Sequence, residues 1–111
     1  MRRVILAMLA VVLTTAAGSA MARDLSRHDR SMCQWGAEAA RQAQQWKLSG
    51  VTLYSARRKV QQHRYSQPWM RKMALGITEQ TYHSRSRLRP TAVKQTYYQG
   101  CVRHEMARPH R

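Results

Sequence analysis

Glu79 and His83 stand four residues apart. That spacing sets a carboxylate and an imidazole on one helix face, as a general acid–base pair or two metal ligands would need. The plainer reading of the same spacing is an i,i+4 contact at a helix end. Cys101-Val102-Arg103-His104 places a soft sulfur three residues before an imidazole, again a helical spacing and a partial ligand set for a soft metal. A disulfide at Cys101 would remove that ligand. The five acids stand singly along the chain, so the paired carboxylates of a hydrolase have no counterpart here. The haem-attachment pattern Cys-x-x-Cys-His, the serine elbow Gly-x-Ser-x-Gly, a phosphate-binding glycine loop and the metalloprotease pattern His-Glu-x-x-His are absent from the sequence. The expectation is a non-enzyme, with no catalytic residues, no metal and no cofactor.

What the residues do offer is positive charge. Lys and Arg number 20 against 5 acids, a formal net charge of +15 over 111 residues. Arginine supplies most of it, and the guanidinium fork fits phosphate and carboxylate groups bidentately. Three concentrations stand out: Arg57, Arg58 and Lys59 with Arg64; Arg71 with Lys72; and Arg85, Arg87 and Arg89. These nine side chains are the candidate polyanion-binding set. Arg103, Arg108 and Arg111 add charge to the tail. Arg57 borders an apolar stripe, where it either snorkels along the surface or pairs with a scarce acid such as Glu38 or Glu79. The plain alternative for the whole set is a solvated basic surface.

The elements that must position this charge are preceded by an address. Met1-Arg2-Arg3 is a short cationic start, Val4 to Ala17 is apolar and uncharged, and Ala20-Met21-Ala22 is a small-x-small triplet. That order predicts a cleaved signal peptide over 1–22, with the cut after Ala22, and hence a periplasmic or secreted protein. The apolar run is shorter than the roughly 20 residues a membrane span needs. Removal of the leader would leave all five acids and take away only Arg2 and Arg3 among the bases.

The remainder predicts one all-α domain over 31–106, between a flexible N-terminus at 23–30 and a basic tail at 107–111. Hydrophobic residues make up 43% of the chain, enough for a small core. Ser31 with Gln34 matches a capping box and opens a first helix reaching Leu48. Its inner face carries Cys33, Gly36, Ala37, Ala40 and Ala43, small residues that admit a close neighbour. Trp35 and Trp46 would flank that face as larger plugs, and Gly50 would stop the helix. A second helix from Val51 to Arg64 has Leu53, Ala56, Val60 and His63 as its inward stripe. A third from Pro68 to Tyr82 uses Met70, Met73, Ala74 and Ile77. A polar loop from His83 to Arg89 precedes a fourth helix, which Pro90 opens and which ends between Cys101 and Met106.

In an up-down four-helix bundle, the start of the first helix and the end of the fourth share one end of the molecule. Cys33 and Cys101 occupy those positions on inward faces, so they are expected to form one disulfide in the oxidising compartment the leader implies. A redox pair is the alternative, but the chain has no Cys-x-x-Cys to tune a reactive thiolate.

With Cys33 early and Tyr98-Gln99-Gly100-Cys101 late, the layout resembles that of small uncharacterised exported helical proteins of Pseudomonas-type bacteria. That resemblance implies the helical fold and the single Cys pair, and no activity. The chain also looks like the periplasmic acid-stress chaperones, small helical proteins held by one disulfide, although its five acids depart from their carboxylate-rich pattern. The functional expectation is an exported basic protein binding an anionic envelope component, such as lipopolysaccharide, anionic lipid or polysaccharide. Peripheral membrane contact would fit, and sequence-specific nucleic-acid reading would not. The alternatives are a stress chaperone, or an inhibitor or immunity-type protein seated on an acidic partner protein. Methionines and tryptophans at helix edges suit a dimer surface as well as a core.

Overall fold

The computed structural model describes residues 25–109. The expected leader 1–22 and the last two residues of the basic tail lie outside the described residues. Four helices make up the described chain: α1 (Arg27–Leu48), α2 (Leu53–Gln62), α3 (Pro68–His83) and α4 (Pro90–Ala107). No strand occurs among the described residues. The fold is all-α.

Helix α1 begins before the expected capping box. The Ser26 hydroxyl accepts the Asp29 N–H at 3.0 Å, and the Asp29 carboxylate sits in the first turn where the helix dipole favours negative charge. Ser31 therefore lies inside the helix and exposed, and residues 27–30 of the segment expected to be flexible are helical. At the other end Gly50 takes φ +88°. The Val51 N–H donates to Trp46 O at 2.9 Å and the Gly50 N–H to Lys47 O at 3.2 Å, a Schellman closure. Val51 thus belongs to the end of α1. Thr52, whose hydroxyl accepts the Ser55 N–H at 3.1 Å, caps α2. His63, read as the last residue of the inward stripe of α2, is instead its extended C-cap and exposed. At the chain's far end α4 continues to Ala107, the first residue assigned to the tail.

The helices alternate in direction. Cys33 meets Cys101, Glu38 meets Lys94, and Gln44 reaches Leu88. The falling order of partners makes α4 antiparallel to α1. Trp69 lies against Trp35 and the Thr81 carbonyl receives Lys47, so α3 runs parallel to α1. The Tyr82 hydroxyl donates to Val51 O at 2.7 Å, and Arg57 pairs with Glu79, so α2 runs antiparallel to α3. Helix α1 is the hub: it packs along α4 and α3, while α2 leans on α3 and barely touches α1.

The small-residue stripe makes the hub possible. Cys33, Gly36, Ala37, Ala40 and Ala43 are all buried on α1, and α4 closes over them. Cys33 and Cys101 are joined by a disulfide with Cα atoms 5.6 Å apart. At Gly36 an added Cβ would lie 2.7 Å from Tyr97 Cε1, 2.8 Å from its hydroxyl and 2.9 Å from Met73 Cε. One missing carbon therefore lets side chains of α3 and α4 meet over α1. Gly36→Val should destabilise by about 2 kcal/mol through overpacking. Gly36→Ala should cost less, because alanine's better helix propensity offsets part of the clash. Urea midpoints that shift at constant m-value check both.

Candidate polyanion-binding surface

Helix α1 ends its buried stripe in two polar residues, and both reach the loop between α3 and α4. Gln44 is 1% exposed, and its amide nitrogen donates to Ser86 O at 3.2 Å and Leu88 O at 2.8 Å. The Lys47 ammonium donates to three carbonyls, Thr81 at 3.1 Å, Ser84 at 3.0 Å and Ser86 at 2.9 Å. These groups satisfy the end of α3 and fasten residues 84–89 to α1. Burial first, and then the Arg87 guanidinium, pull the Lys47 ammonium below its ordinary pKa. Inside the loop, the Ser84 hydroxyl accepts the Ser86 N–H at 3.0 Å and the Ser86 hydroxyl accepts the Leu88 N–H at 3.2 Å. The backbone is extended at both loop ends, Ser84 and Arg89.

Arg85, Arg87 and Arg89 are exposed on this fastened loop. Leu88 stands among them, 52% exposed. Tyr54, at the start of α2, is 64% exposed at the same end of the molecule, and Arg58 sits 5.8 Å from its ring centroid. The other predicted cations are placed elsewhere. Arg64 and Lys72 are exposed at the opposite end. Arg71 also lies there, held by His63 O at 3.2 Å and stacked 5.3 Å from the Tyr65 ring centroid. Lys59 borders a cleft between α1 and α2. The set thus divides between the two ends of the molecule.

Arg57 is already engaged. Its guanidinium forks onto the Glu79 carboxylate, Nε to Oε2 and Nη2 to Oε1 at 3.0 Å, one of the two structural roles the sequence allows it. His83 turns its Nδ1 to the Glu79 carbonyl at 2.7 Å, not to the carboxylate. The acid–base pair suggested by the spacing is therefore not assembled. Cys101 is in the disulfide and His104 is exposed. Among the described residues no group of three potential ligands could hold a metal ion.

Three of the five acids are paired with bases of the fold. Glu38 is shared by Arg41 and by Lys94 at 3.0 Å, Glu79 is held by Arg57, and buried Glu105 lies 3.1 Å from Arg108. The exposed pairs of Glu38 and Glu79 add little stability, and Lys59, Arg64, Lys72, Arg85, Arg87 and Arg89 are left with no carboxylate in ion-pair reach among the described residues.

Two of these carboxyls set an acid limit. The Lys94 and Arg41 hydrogen bonds hold Glu38 below its ordinary pKa of 4.5, and the Arg57 hydrogen bond does the same for Glu79. A folded-state pKa below the unfolded one gives stability that is complete above about pH 4.5 and lost as pH falls through the folded value. The thermal midpoint should therefore decline on acidification. A midpoint that held or rose at about pH 3 would contradict these pairings.

Sequence reasoning missed Gln44 and Lys47. The signal was present, since both continue the i,i+3,i+4 register of Cys33, Ala37, Ala40 and Ala43 into a stripe that a purely apolar reading ends too soon. Trp35 and Trp46, expected to flank the small inner face, are half-buried and wall the open cleft beside α2, and Trp35 also packs edge-on against Trp69 of α3. No helix among the described residues is long and apolar enough to cross a membrane. No family model, curated protein or solved structure matches the chain.

Proposed function

We propose that this chain is a non-enzymatic exported protein, released from its leader after Ala22, whose basic surface binds an anionic envelope component. The observation that carries this reading is the 84–89 loop. Its three arginines have no carboxylate partner among the described residues, and Gln44 and Lys47 hold the backbone that presents them. A loop ordered before binding loses less conformational entropy on contact than a mobile one. Leu88 between Arg87 and Arg89 adds an apolar point to a cationic rim, the combination that seats a protein in the headgroup region of an anionic surface. Tyr54 with Arg58 repeats that combination at the same end. The engagement is peripheral, and the strong positive charge (+15 for the whole chain, of which the leader carries only Arg2 and Arg3) speeds encounter with any polyanion without reading a sequence.

Co-sedimentation of the full chain, without its leader, with lipopolysaccharide and with anionic and neutral lipid vesicles tests the reading. Retention on the anionic surfaces alone, reduced in Leu88→Ser, is expected. Equal retention on neutral vesicles, or none on any anionic surface, would overturn it.

A further inference from the structure

A second site lies away from the basic loop. Helices α1 and α2 splay apart, and the gap between them is a cleft of about 420 Å³ floored by α3, within the size range of small-molecule sites. One face of α1 supplies Trp35, Ala39, Gln42 and Trp46, at steps of four, three and four residues. The helical rise puts the two tryptophans about 16 Å apart along the axis. Val60 of α2 with Ala74 and Thr78 of α3 complete a mostly apolar floor.

The charge at the rim is one-sided. On the α1 side Glu38 has both carboxylate oxygens taken, Oε1 by Arg41 and Oε2 by Lys94. On the α2 side Lys59 and His63 are exposed, and no carboxylate lies in ion-pair reach of Lys59 among the described residues. An occupant thus meets aliphatic and aromatic carbon below and a cation above. The wall at one end is also firm: Trp35 is held edge-on by Trp69 and by Tyr65, with ring centroids 5.6 and 6.1 Å apart, and the Tyr65 hydroxyl donates to Val60 O at 2.9 Å.

We propose that this cleft binds a single-chain anionic amphiphile, its apolar chain lying between Trp35 and Trp46 over Ala39, Val60 and Ala74, and its carboxylate or phosphate head paired with Lys59. Burial of the chain supplies most of the affinity, and the Lys59 contact selects the sign of the head. The site is independent of the loop arginines and stands whether or not they bind an envelope surface.

The test is a titration of intrinsic tryptophan fluorescence with dodecanoate and dodecyl phosphate as monomers, below their micelle thresholds. Dodecyltrimethylammonium serves as the cationic counterpart. Saturable one-site binding of both anions is expected, weakened about tenfold in Lys59→Glu and abolished in Ala39→Phe, which fills the cleft. Circular dichroism and a thermal midpoint confirm that each variant is folded. Dodecanoate binding that appears only with micelles overturns the proposal. So does equal binding of the cationic amphiphile, or undiminished binding by folded Ala39→Phe. Vesicle retention measured in parallel separates the two sites: retention without amphiphile binding rejects the cleft alone, and amphiphile binding without retention upholds it.

Discussion

Reduction of the Cys33–Cys101 bridge should lower folding stability by about 4 kcal/mol, the chain-entropy value for a closed loop of this length. The bond spans a sequence separation of 68 residues, and a domain this small has only about 5–15 kcal/mol in total. The packing makes α4 the element most exposed to the loss. Its backbone approaches α1 and no other helix among the described residues. Most of its inner face, including Val93, Tyr97 and Gly100, is only half-buried. The bond is thus the anchor of one helix as well as a constraint on the unfolded chain. Thermal or urea unfolding of Cys33→Ser/Cys101→Ser beside the parent checks it. An unchanged midpoint would mean that α4 is held by packing alone.

The second large effect is at Lys47. Lys47→Met keeps the length of the side chain but removes the ammonium that three carbonyls share. We expect a loss of about 2 kcal/mol, because hydrogen bonds to a charged donor are strong but water replaces part of what these half-open carbonyls lose. The more telling consequence concerns binding. Lys47 lies beneath the loop, so a loosened 84–89 segment should weaken retention on anionic surfaces more than deleting one exposed charge such as Lys72 does. Equal losses in Lys47→Met and Lys72→Met would show that charge number, not loop order, governs retention.

The helices were legible because their punctuation is local. Pro68 and Pro90 open α3 and α4, Gly50 closes α1, and the small inner face of α1 reads directly from residue spacing. The disulfide followed from topology, since only the alternation of helix directions brings residues 33 and 101 to one end. The beginning of α1 was misplaced because two serines five residues apart both satisfy a capping pattern. The sequence cannot show that the Asp29 N–H turns to Ser26. Thr78 and Thr81 are buried on α3, although their hydroxyls argue for solvent. Thr81 resolves this by donating to Ile77 O at 2.7 Å inside its own helix.

The site was legible only as charge. Residue types announced the arginines of the 84–89 loop, but not that Gln44 and Lys47, about forty residues earlier, hold the backbone that carries them. The bidentate Arg57–Glu79 pair was one of the options a sparse set of acids leaves. The cleft was not legible, because the same Trp35 and Trp46 pattern would serve a closed core had α2 packed on α1 instead of leaning on α3.

The most direct measurement is the salt dependence of binding to anionic vesicles, for the parent chain and for Arg85→Gln/Arg87→Gln/Arg89→Gln. Released counterions make the logarithm of the binding constant fall linearly with the logarithm of salt, at close to one unit of slope per neutralised phosphate. We predict a steep slope for the parent and one shallower by about two to three units for the variant, with the thermal midpoint unchanged. Identical slopes for the two proteins, or parent binding indifferent to salt, would contradict the assignment of this loop as the anion-binding surface.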